Sequence, residues 1–326
     1  MLLPIGHDNL RGRRWPWVTV VLIAINAAVF LATYSTIDTQ LEETTQVESR
    51  LLILVKAHPE LKMTQDAQAF VQNVEEKDPE FAAELSSGGH AEGDSENARA
   101  PRRDSPSELQ SQMDTLCQQF SDEVVPSILW TYGNVPGASH LLSYLTSMFL
   151  HAGWLHLIGN MWFLWLAGTI LEDTWGRLIY PAFYLLSGVA ADVVHGVVNS
   201  GSMVPSLGAS GAIAGLMGAF LVRFPKTKIR MMWLFLFKAY KFNVPAFTLL
   251  PLWLGMEFFS GVWYGATSGV AHWAHMGGFA AGVLAALAFR ASGLEQKAEQ
   301  AVTAKAEWWR TTALPSSGRP APPWPR

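Results

Sequence analysis

Residues 124–171 contain no Asp, Glu, Lys or Arg, and that run is one of several that water would not tolerate exposed. A helix needs about 20 mostly apolar residues to cross the ~30 Å hydrocarbon core of a bilayer. Six stretches read as such spans: 15–37, 151–171, 178–199, 207–222, 242–267 and 269–289. Backbone polar groups inside lipid must bond to one another, so helices are the expected form. The expected fold class is therefore an all-α membrane protein, a bundle of six transmembrane helices. Residues 231–237 (MMWLFLF) are too short to span and are expected to lie at the interface. The first span is too long for the ~7–15-residue core of a signal peptide, and no small-x-small cleavage site follows it.

Charge then orients the bundle. Half of the residues are hydrophobic and only 15% are charged, against about 25% in soluble domains. This excludes an ordinary soluble enzyme and a disordered chain. The formal net charge of −4 conceals two parts. Residues 38–123 hold 19 acids and 7 bases, a net of −12, and the remainder is +8. Short loops rich in Lys and Arg stay cytoplasmic. Arg11, Arg13 and Arg14 precede the first span, Arg177 separates the second from the third, and Arg223, Lys226, Lys228 and Arg230 follow the fourth. Lys238, Lys241 and Arg290 fit the same side, whereas loops 200–206 and 265–269 carry no base. Both termini are thus expected in the cytoplasm of a multi-pass protein of a bacterial inner membrane.

The expected organisation is a cytoplasmic segment (1–14), a first transmembrane helix (15–37), an acidic extracytoplasmic insertion (38–123), a core (124–290) and a disordered tail (291–326). Within the insertion, apolar residues over 41–85 recur at helical spacing, interrupted at His58-Pro59 and Asp78-Pro79. Residues 86–107 read as a flexible linker by composition. No basic stripe alternates with exposed aromatics, which argues against a nucleic-acid partner. A single cysteine, Cys117, excludes an intrachain disulfide framework and a CxxC metal site.

Polar groups within the spans concentrate at their outer ends: His151, His156, Asn160, Asp192, His195, Ser210, Glu257, His272 and His275. Polar side chains in lipid are costly and invite a functional reading. Ser210 lies in Gly208-Ala209-Ser210-Gly211, where an outer loop becomes a helix, beside free backbone N–H groups suited to an oxyanion. Gly211, Gly215 and Ala219 form a small-residue face, and His275, Gly278 and Gly282 form a second. Packed on each other, these faces would bring His275 to Ser210 as a general base. Read without that chemistry, both faces are ordinary helix-packing surfaces. His156 and Asn160, at i and i+4, share a face and can both donate to an oxyanion. Asp192 and Glu257 are candidates for a third member of the catalytic set. A dyad can suffice; Asp192 is expected to pair with His195 or water, and Glu257 to make a buried hydrogen bond.

Phe149-Leu150-His151-Ala152-Gly153-Trp154-Leu155-His156-Leu157-Ile158-Gly159-Asn160, then GASGA around Ser210, then AHMGG around His275, together resemble the rhomboid family of intramembrane serine proteases. The resemblance covers roughly residues 15–37 and 124–290. It implies a six-helix rhomboid-like bundle with a Ser210–His275 dyad. The oxyanion hole would be His156, Asn160 and the Ser210 N–H, with supporting roles for Gly208, Gly211, Gly278, His151 and Glu172. It also implies transmembrane proteins as substrates, the lipid bilayer as surroundings, and no metal or cofactor. The insertion, 38–123, has no counterpart in the minimal family core and is a candidate surface for an extracytoplasmic partner. Two family features are missing: a Trp-Arg pair in residues 124–150, and a tyrosine four residues after the serine, where Ala214 stands. Rival readings are a metal- or haem-binding protein using His151, His156, His272 and His275, a catalytically silent rhomboid-like scaffold, and a transporter.

Overall fold

The computed structural model describes residues 2–8, 10, 14–77, 105–235, 238–264 and 269–293. Arg11, Arg13, the Asp78-Pro79 break, linker residues 86–104, loop residues 265–268 and the tail beyond 293 lie outside the described residues. The chain opens with strand β1 (Leu2–His7). Helices α1 (Trp17–Ala57), α2 (Gln65–Lys77), α3 (Pro106–Gln119), α4 (Ile128–Tyr132), α5 (Ser143–Thr146), α6 (Trp154–Val198) and α7 (Ser210–Arg223) follow. A hairpin of β2 (Lys228–Phe235) and β3 (Lys238–Pro245) leads to α8 (Ala246–Trp263) and α9 (His272–Ala291). Helices α1, α6, α8 and α9 are long and apolar enough to cross a membrane, and α7 is a shorter apolar helix.

Helix α6 is two helices joined at Gly176, whose φ of 82° and ψ of 176° leave the helical region. Only glycine takes that backbone freely. The chain reverses there, because a methyl on Gly168 would strike the Tyr180 hydroxyl. Twelve residues of unbroken helix would hold those positions about 18 Å apart. The two halves correspond to the stretches expected at 151–171 and 178–199.

Two expectations are corrected outside the bundle. The chain is not purely helical: most of the stretch at 231–237 is β2, the middle strand of an antiparallel sheet ordered β1-β2-β3. Ile229 and Met231 turn inward while Arg230 and Trp233 stay exposed, the two-residue alternation of a half-buried strand. Leu3 pairs with Met232, His7 with Ile229, and Lys228 with Pro245. Strand β3 also takes residues 242–245 from the expected fifth span, which begins as helix at Ala246.

The first helix does not stop at residue 37. Residues 38–57 contain neither Gly nor Pro, so helix continues until Pro59 forces His58 out of the helical region (φ −140°, ψ 70°). This outer half of α1 packs with α2 and α3 around Val47, Leu51, Leu52, Phe70, Val71, Met113 and Cys117. The α3 start is a capping box: Ser105 N–H donates to Glu108 (2.7 Å), and Glu108 N–H to Ser105 Oγ (3.3 Å). Residues 105–107 therefore belong to a helix start rather than to the expected linker. Burial on the α1 face pushes the Glu48 carboxyl up to about 7.

At the opposite end Glu172 fixes where α1 begins. Its carboxylate accepts from the N–H groups of Val18 (3.0 Å) and Thr19 (2.8 Å) and from the Thr19 hydroxyl (2.8 Å). A carboxylate at a helix N-terminus satisfies donors that have no intrahelical partner and opposes the positive end of the dipole. Beside it, Arg14 Nε donates to Asp173 (3.4 Å).

Two consequences can be measured in detergent. Glu172→Ala should cost at least about 2 kcal/mol by orphaning buried donors, while Glu172→Gln, which keeps an acceptor, should cost less. The proton-affinity shift of Glu48 acts in the other direction. A carboxyl with a raised folded value gives stability below its unfolded value and loses it as pH rises through about 7. Glu48→Gln should therefore raise the apparent Tm at pH 8.5, with the gain shrinking to nothing near pH 4.5.

Candidate active site

Every residue of α7 from Gly211 to Phe220 is buried. Its 14 residues rise about 21 Å, short of a ~30 Å hydrocarbon core. If its Arg223 end marks the inner boundary, Ser210 starts roughly 10 Å below the outer one. Glycines bring its neighbours against it. A methyl on Gly278 or Gly282 of α9 would strike the carbonyl of Gly211 or Gly215, and a methyl on Gly218 would strike that of Phe279. On the other flank, Gly211 and Gly215 close on Ala191 and Ser187 from the second half of α6. The two small-residue faces thus meet backbone to backbone. Ser210 Oγ and His275 Nε2 stand 2.8 Å apart across the contact.

The loop entering α7 brings the next group. Gly208 has φ of +117°, and a methyl there would stand 2.8 Å from both Cε1 and Nε2 of His156. Its N–H donates to the Ser147 carbonyl (2.8 Å). Asn160 lies beside His156, its Nδ2 donating to the His156 carbonyl (3.0 Å). An amide nitrogen carries two hydrogens, so one remains for a ligand. His151 is fully buried and meets His156 edge to face, with ring centroids 5.1 Å apart.

The third participant comes from α8. Glu257 Oε2 lies 2.7 Å from His272 Nδ1 and 2.8 Å from His275 Nδ1. Trp253, one turn earlier, places its ring 6.0 Å from that of His275. Sequence reasoning held Glu257 as a candidate third member but favoured a buried hydrogen-bonding role, and passed over Trp253. The available signal was their i, i+4 spacing opposite His272 and His275 at i, i+3. Asp192 stands elsewhere: it accepts from Ser147 Oγ (2.7 Å) rather than pairing with His195. His195 meets Asn199 instead, at 3.4 Å.

His151, His156, His272 and His275 do not converge as a donor set. Among the described residues, the group able to hold a metal is Glu257, His272 and His275. Its 2.7 and 2.8 Å separations are hydrogen-bond lengths, whereas two ligands ~2.1 Å from a tetrahedral zinc lie roughly 3.4 Å apart. Inward of the serine, an apolar hollow of about 300 Å³ is lined by Phe163, Leu166, Met217, Phe220, Trp253 and Met256, among others.

Residues 138–292 match the Rhomboid domain family. The chain is 38% identical over 88 residues to Rhomboid-like protein 11, chloroplastic, of Arabidopsis thaliana, covering 27% of this chain and 30% of that protein. It is 31% identical over 145 residues to the mitochondrial presenilin-associated rhomboid-like protein of Rattus norvegicus (43% and 36% covered). It is also 28% identical over 195 residues to the Danio rerio protein A of that name (58% and 47%). The matched part is thus less than half the length of each of these relatives. Their names place them in chloroplasts or mitochondria, so the expectation of a bacterial inner membrane gains no support from them. An integral membrane protein is what stands.

Gly208 generates a test. Alanine there meets both an unfavourable φ and the His156 ring, whereas at Gly159 a methyl meets open space. Gly208→Ala should slow fluorophosphonate labelling of Ser210 by about a hundredfold or more, the scale of losing an oxyanion donor. Gly159→Ala should stay within about threefold, since alanine favours a helix.

Proposed function

Because the chain belongs to the rhomboid family, we propose that it is an intramembrane serine endopeptidase that cuts transmembrane segments of other proteins near the outer face of the bilayer. The observation that carries this reading is the 2.8 Å approach of His275 Nε2 to Ser210 Oγ, a nucleophile and base at hydrogen-bond reach. A silent scaffold has no need of that contact.

The chemistry follows from the positions of the groups. His275 Nε2 takes the hydroxyl proton as Ser210 Oγ bonds to the carbonyl carbon of the scissile peptide. The resulting oxyanion is held by the Ser210 N–H, His156 and the free hydrogen of Asn160. The tetrahedral intermediate then collapses. The C–N bond breaks, His275 hands its proton to the departing amine, and an acyl-serine remains. Water enters from the outer side, gives a proton to His275 and bonds to the acyl carbon. Collapse frees the new carboxylic acid and returns the proton to Ser210.

The substrate must present an unwound backbone, because the peptide groups of a helix are already bonded to one another. Six spans with both termini inside would put Ser210, His156 and His275 near the outer face, where water can reach them. The aromatic outer end of α8, with Phe258, Phe259 and Trp263 exposed, would then face the lipid from which the substrate arrives.

The test uses the full chain reconstituted in liposomes. The wild type should cleave a model single-span substrate and label with a fluorophosphonate at Ser210. Ser210→Ala and His275→Ala should each abolish both. Labelling that survives in Ser210→Ala refutes the assignment.

A further inference from the structure

Helix α8 is loosely held, with only Ala246, Leu250 and Gly261 buried along its length. Yet it carries the group that faces the back of the base. Glu257 Oε2 is 2.8 Å from His275 Nδ1, and that contact is a hydrogen bond only if the imidazole nitrogen bears the proton. A neutral imidazole has one such proton. With it on Nδ1, Nε2 is left bare at 2.8 Å from Ser210 Oγ, which is the form able to accept the serine proton. The same carboxylate would stabilise the imidazolium that results, in surroundings of low dielectric. Trp253, on the same face of α8, flanks the ring.

We propose that Glu257 completes a Ser210–His275–Glu257 triad as a positioning residue, selecting the tautomer and orientation of the base from a helix other than those that carry the serine and the histidine. The inference rests on the endopeptidase reading above. Its competitor is a staple: Glu257 also lies 2.7 Å from His272 Nδ1, and it would then merely tie α8 to α9.

The other ionisable groups around His275 are His272 on its own helix and His156 and His195 from the two halves of α6. All three stay in place in a Glu257 variant, so a change in the pH profile reports on the carboxylate.

The experiment compares variants of the full-length protein in liposomes, using fluorophosphonate labelling and cleavage of a model transmembrane substrate from pH 5.5 to 9. Glu257→Gln should lower kcat by roughly 10²–10⁴, the scale of losing a triad acid, with KM within about threefold. The acid limb should also move to lower pH, since His275 loses the charge that favours its protonated form. Glu257→Asp, with the charge one methylene further back, should fall between wild type and Gln. His272→Phe removes the donor of the staple while keeping a ring in its place, and should lose less than about tenfold, with the acid limb in place.

Glu257→Gln within threefold of wild type, with an unmoved acid limb, overturns the proposal. So does His272→Phe falling as far as Glu257→Gln. Should the Gln variant fail to fold, Glu257→Asp at the wild-type rate overturns it equally. A wild type that does not label at Ser210 defeats the endopeptidase reading itself; failure confined to the variants defeats only the triad.

Discussion

The backbone contact between α7 and α9 is the constraint on which the rest of the site depends. In lipid no hydrophobic force drives two apolar helices together; close packing must do so. Gly278 rests against the Gly211 carbonyl and Gly282 against that of Gly215. Ser210 precedes the first of these contacts by one residue, and His275 lies one turn before Gly278. The 2.8 Å between their side chains is therefore a consequence of the helix separation. Widening it by about 1 Å would take the pair past any hydrogen-bond distance. The glycines thus set the Ser210–His275 geometry without touching either side chain.

Helix α1 transmits that geometry to both faces of the molecule. Glu172 pins its first turn to the reversal of α6 at the inner end. Its 41 residues rise about 60 Å, twice a hydrocarbon core, so its second half must stand beyond the membrane that its apolar first half spans. There it forms one wall of the cluster with α2 and α3. Trp130, from α4, and Met203, from the loop before α7, pack against that cluster. The acidic segment is consequently joined to the outer loops of the core by apolar contacts, close in sequence to Gly208 and Ser210.

What the sequence disclosed depended on how local each signal was. GASGA, AHMGG and the His156–Asn160 spacing place four groups that the folded chain gathers near one another. Periodicity alone marked the two glycine faces. Each such signal needs only one helix or the pairing of two. The strands were missed because MMWLFLF is apolar on both sides of its alternation, which hides a two-residue period. The length of α1 was misjudged because a hydropathy boundary at Asp38 is not a helix boundary; only Pro59 is. The partner of Asp192 proved to be Ser147, 45 residues away, and no spacing rule reaches that far. Glu257 was visible as an acid within a span, but its meaning depends on the rotation of α8 against α9. Exposure of most of α8 to lipid removes the polar-face pattern that would have revealed that rotation.

That last dependence has a mechanical consequence. Along α8, the Trp253 and Glu257 contacts with His275 fall on one face, while Leu252, Met256, Phe259 and Val262 are exposed on others. On the endopeptidase reading, a substrate helix arriving from the lipid would meet those exposed faces first. Any displacement of α8 that admitted it would also move Glu257, and a hydrogen bond lengthened by about 1 Å is effectively lost. Entry and base orientation would then be exclusive until α8 returns. Ser210 would meet a fully oriented base only after the substrate backbone had moved past α8 into the interior. In such an arrangement the helix that admits a substrate would also withhold catalysis from one that has not yet settled, with the single carboxylate of Glu257 as the link.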